Sequence, residues 1–153
     1  MRVSIVLFIM IMSCGMFAQG KTTSSILDDE LYKTFEKEAL LFYLSDNYIE
    51  YKKITEELSI KLNGNKDLVI LEKFEQWVKE NLAKTKFDSI DEAMSLAKRR
   101  RDLFIENTKA QDSLYKKTII LKEKYGEEAY EQVFTERVLM KVVPYYLQQK
   151  IKI

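Results

Sequence analysis

The stretch SIDEAMSLAKRRRDLFIENTKAQDSLYKKTIILKEKYG, residues 89–126, decides the fold. Ser89 followed three residues later by Glu92 is a capping box, and Phe87 just ahead of it can staple the helix start. Ile90, Met94, Ala97, Leu103, Phe104, Leu114, Ile119 and Leu121 supply apolar positions along one long helix. Tyr125-Gly126 closes it with glycine in the C-cap slot. The middle, from Glu106 to Ser113, is polar, so a bend or break is expected near Asn107.

The same period extends in both directions. Upstream, Lys86-Phe87-Asp88-Ser89 is a connector, and the helix before it is expected from about Lys66 to Lys84. Its stripe is Leu71, Phe74, Val78 and Leu82, widened by Leu68, Ile70 and Trp77. Asn63-Gly64-Asn65 turns the chain ahead of that helix. Tyr48, Tyr51, Thr55, Leu58 and Leu62 form the seam of another, begun by a cap among Ser45, Asp46 and Asn47. The first helix starts near Ser25, with Asp28, Asp29 and Glu30 matching its dipole. Leu27, Leu31, Phe35, Ala39 and Phe42 or Tyr43 make its stripe. Downstream, a last helix carries Tyr130, Val133, Phe134, Val138 and Met140, and Pro144 is expected to end or kink it near Lys141. Strand-like alternation is confined to Lys150–Ile153. The expected fold is all-α: four or five antiparallel helices in a bundle.

Ahead of this lies a segment of different character. Arg2, the apolar run Val3–Met12 and the small residues Ser13, Gly15 and Ala18 read as a cleavable secretory signal over 1–20, with a single helical domain over 21–153. Export to the periplasm or the extracellular space is therefore expected. The alternative is a membrane-tethered lipoprotein modified at Cys14, the one cysteine, and only lipidation there would bring a membrane into play. Loss of residues 1–20 removes Arg2 and leaves equal numbers of acidic and basic side chains, so net charge favours no polyanion.

Histidine is absent, and with it the commonest general base and metal ligand. A chain cut after residue 20 also lacks cysteine, which disfavours structural zinc. None of the four glycines builds a phosphate loop. Asn63, Asn65 and Asp67 mimic the start of a calcium loop, but Leu68 and Phe74 stand where its glycine and last glutamate belong. Asp88, Asp91 and Glu92, and again Glu127, Glu128 and Glu131, sit where helix starts attract acids. No catalytic residue, cofactor or metal site is expected.

Lys98-Arg99-Arg100-Arg101 points around most of a helix circumference, and Asp102 is spaced to pair with Lys98 and Arg99, so a solvated face is expected rather than nucleic-acid binding. Nine tyrosines remain to be explained. Tyr43, Tyr48 and Tyr51 surround the first helix junction, and Tyr145 and Tyr146 follow Pro144. They are the candidate surface for a protein partner, because a tyrosine ring is apolar and its hydroxyl wet. The expected function is an exported, non-enzymatic helical protein that binds another protein as an adaptor, inhibitor or chaperone-like module. The alternative is a carrier of a small apolar ligand or lipid.

Overall fold

The computed structural model describes residues 24–150 apart from Leu71, and these are helical with no strand among them. The signal segment and Cys14 lie outside the described residues. After a helical turn at 24–28, Asp29 interrupts the chain. Its Oδ1 accepts from the Leu31 amide at 2.6 Å and so caps α1, Glu30–Tyr43. Helix α2, Asp46–Lys61, follows with Ser45 as N-cap. A 3-10 turn at Lys66–Ile70, helix α3 at Phe74–Asn81 and a second 3-10 turn at Leu82–Lys84 lead to α4, Ile90–Tyr125. Gly126 then starts α5, Glu127–Phe134, which runs through a π-helical segment, Thr135–Leu139, into α6, Met140–Gln148.

The chain forms two compact units. Residues 24–40 and 112–141 belong to one, residues 41–111 and 142–150 to the other. In the first, Ile26, Tyr32, Phe35, Ala39, Leu114, Leu121, Tyr130, Val133 and Val138 are buried. Phe35, Tyr130 and Phe134 meet ring to ring at 5.8–5.9 Å. Asp29 accepts from Lys124 Nζ and from the Tyr125 hydroxyl, both at 2.7 Å. Those two hydrogen bonds, that of Lys124 first, hold its carboxyl well below the usual range. In the second unit, Ile54, Leu58, Leu62, Phe74, Val78, Phe87, Ala93 and Leu103 form one buried cluster.

Several expectations are corrected. The single helix over 66–84 is instead two 3-10 turns around a two-turn α-helix. The run Leu68-Val69-Ile70-Leu71 is apolar all round and cannot face one side, so Ile70 stays exposed. Lys73 offers α3 no side-chain cap. Helix α4 is continuous through its polar middle, and Asn107 is buried there instead of marking a break. Pro144 lies inside α6, which runs on to Gln148. The irregularity lies upstream, where the Met140 amide donates to the carbonyl of Thr135, five residues back. Ahead of α1 the stripe is also rotated: Ile26 and Tyr32 are buried, while Leu27 and Leu31 are not.

The start of α4 forms as its sequence directs. The Glu92 amide donates to Ser89 Oγ at 3.1 Å. Glu92 returns the bond to the Asp88 amide rather than to that of Ser89, at 2.7 Å. At the other end, Gly126 adopts φ 87° and ψ 151°. That region is essentially reserved for glycine, because any Cβ would clash with its own backbone.

Candidate functional site

The tyrosines flagged at the first junction and beyond Pro144 come together in the second unit. Their placement begins with Ser45. Its hydroxyl donates to the Phe42 carbonyl at 2.7 Å and accepts from the Tyr48 amide at 3.3 Å. One side chain thus closes the end of α1 and opens α2, and the turn between them is only two residues long. Rings from the last turn of one helix therefore meet rings from the first turns of the next. Phe42 and Tyr48 approach to 4.6 Å between centroids, and Tyr43 lies 5.3 Å from each. Interplanar angles of 49–74° put ring edges toward ring faces, the arrangement the aromatic quadrupole favours. The row continues to Tyr51 at 6.2 Å and then to Phe104 of α4 at 6.4 Å.

Tyr145 and Tyr146 arrive from α6 and have different fates. Tyr146 is 2 % exposed, and its hydroxyl donates to the backbone carbonyl of Tyr43. Tyr145 stays at the surface, edge-on to it. Tyr43, Tyr48 and Tyr51 are half-buried. The seam of α2 is carried by Ile49, Ile54 and Leu58, which moves the tyrosines from its centre to its margin.

Burial acts on the hydroxyls. It pushes Tyr48 up to about 12, helped by neighbouring Tyr43 and Tyr51. Burial likewise raises Tyr43, and it carries Tyr146 above the usual tyrosine range. The cause is the cost of a phenolate away from water. These hydroxyls are neutral polar tips on apolar rings, suited to contact rather than to proton transfer at neutral pH.

The four cations of residues 98–101 diverge. Lys98 pairs with Asp102 at 2.7 Å. Arg99 turns instead to α2 and grips Glu50 with two parallel hydrogen bonds, 2.8 and 2.6 Å. Arg100 lies 5.6 Å above the Tyr51 ring and donates to Thr55 Oγ1 at 3.3 Å. Arg101 is exposed. Phe104 and Arg100 are the members of this site that the sequence did not single out. The available signal was the adjacency of Leu103 and Phe104: neighbours 100° apart on a helix cannot both enter the core, and Phe104 is 48 % exposed.

The acidic groups are engaged elsewhere. Glu92 pairs with Lys61 at 2.6 Å, and Glu127 and Glu131 share Lys122 at 2.8 Å each. Asn63 takes a left-handed φ of 54° and gives its amide to the Lys84 carbonyl. Among the described residues no three His, Cys, Asp or Glu side chains gather as a metal ion would require. No described helix is long and apolar enough to cross a membrane. Cys14, the lipidation candidate, lies outside the described residues. Comparison of the chain with protein-family models, curated proteins and solved structures finds no match.

Proposed function

We propose that this chain is an exported, non-enzymatic protein whose helices, in an antiparallel bundle, present an aromatic surface to a protein partner. One observation carries the reading: the continuous ring row Tyr43, Tyr48, Tyr51 and Phe104, each in contact with the next and each at least partly open to solvent. Rings already held by their neighbours lose little conformational freedom when a partner covers them, so more of the contact energy survives as affinity. Ser45 and the Tyr146 hydroxyl support the row from beneath. Tyr146 is the scaffold of the surface and Tyr51 with Phe104 its contact edge.

A photo-crosslinking residue at position 51, in protein expressed from its own signal segment, tests the reading. A single protein crosslinked in the envelope or the medium, and absent when the probe replaces exposed Lys124, is the expected result. Crosslinks to lipid alone would replace partner binding with apolar-ligand carriage. Mass spectrometry of the same material tests export: a chain starting near Gln19 or Lys21 is expected, a lipid on Cys14 would substitute the tethered form, and an intact Met1 would refute both.

A further inference from the structure

We propose that the partner of this surface is an acidic peptide segment, gripped by Arg100 through a carboxylate and by Phe104 and Tyr51 through an apolar side chain. The inference rests on the protein-binding reading above and adds the chemistry of what is bound. Arg100 is half-buried and laid over Tyr51, and its one hydrogen bond within the described residues is to the Thr55 hydroxyl. No carboxylate stands within ion-pair distance of it among the described residues, although Lys98 and Arg99 beside it each hold one. A guanidinium fixed in place, with most of its donors unspent, is prepared for a carboxylate in fork geometry.

Helix geometry adds the rest. Phe104 lies four residues after Arg100 and three after Arg101, so the three occupy one face of α4. The exposed Phe104 ring then lies between two cations, with Tyr51 touching both Arg100 and Phe104. The face thus offers positive charge on either side of an apolar ring. Its complement is a segment with Asp or Glu flanking a Leu, Phe or Tyr. A nucleic-acid strand fits less well. Two of the four cations in the run are neutralised within the fold, and two are too few to follow a phosphate backbone.

The experiment is selection of random dodecapeptides on the full-length protein, followed by affinity measurements with the enriched peptides in synthetic form. Enrichment of acidic sequences with one aromatic or aliphatic anchor is expected. Arg100→Gln should weaken them at least tenfold and Phe104→Ala comparably, while Arg100→Lys, which keeps the charge and loses the fork, should cost severalfold. Affinity should also fall as salt rises. Both variants must match the parent in thermal unfolding, which separates lost contact from lost fold. The inference is overturned if no peptide enriches, if neutral or basic sequences enrich, if binding is indifferent to Arg100→Gln, or if an oligothymidine displaces the peptide through the same residues. A binder lost with Tyr51→Ala but untouched by Arg100→Gln would remove the acidic chemistry and leave the protein-binding reading standing.

Discussion

Raising the pH from 8 to 12 should unfold this protein through its buried tyrosines. Burial raises Tyr32, Tyr43, Tyr48 and Tyr146 above the ordinary tyrosine value, Tyr48 to about 12. Between pH 10 and those folded-state values, the folded chain keeps protons that the unfolded chain has released. Stability therefore falls as pH rises, with the full contribution present below about pH 10 and lost through pH 12 and beyond. For Tyr48 the separation of about two pH units corresponds to about 2.7 kcal/mol at most, and its half-exposed setting trims this to about 1–2 kcal/mol. With the hydroxyls of Tyr32 and Tyr146 more deeply buried, the sum reaches several kcal/mol, a large share of a typical 5–15 kcal/mol of stability. Absorbance at 295 nm, followed together with helical ellipticity at 222 nm, measures both processes. Part of the tyrosinate signal should be withheld until the helices melt, then appear in one cooperative step. Tyr48→Phe should shift that step to higher pH. Development of the full nine-tyrosine amplitude with ellipticity unchanged would refute the reasoning.

Two further outcomes follow from single positions. Gly126→Ala should cost about 1–3 kcal/mol, seen as a drop in melting temperature of several degrees: nothing lies within 4 Å of the added Cβ, so the whole penalty is backbone strain at φ 87°. Asn107→Leu should raise the melting temperature, because the buried Nδ2 has no partner among the described residues and removing an orphan donor recovers about 1–3 kcal/mol.

Local chemistry made much of this legible. Ser89, Glu92, Ser45 and Gly126 act within a few residues of themselves, and each does what its residue type allows in any protein. The all-α class follows from the same local regularity. What escaped was decided by neighbours distant in sequence. Asn107 reads as a break because polar residues favour water, yet Leu103 and Leu114 on the same helix carry it into the interior. Phe104 reads as core because it is apolar, and which of two adjacent apolar residues turns inward depends on where α2 lies. At the candidate site, the tyrosines could be found by number and spacing. That Tyr146 holds Tyr43 from below, and that Arg100 covers Tyr51, required the chain to bring residues 43 and 146, or 51 and 100, together.

The π-helical segment at Thr135–Leu139 also constrains how this sequence can evolve. A wide turn of this kind holds one residue more than a regular helix needs. Deleting a residue between 135 and 139 would spare every hydrogen-bond donor and yield a smoother helix. It would also rotate everything after it by about 100°, one residue's step around the axis. Val142 and Tyr146 would leave the interior, and Met140 or Leu147 would face it in their place. Glu36 would lose its hold on Arg137 and Lys141, now 3.3 and 3.0 Å away. A related chain lacking one residue here should therefore be rare unless it carries a compensating insertion before Val142, so an alignment gap across 135–139 would be matched by another within the next turn.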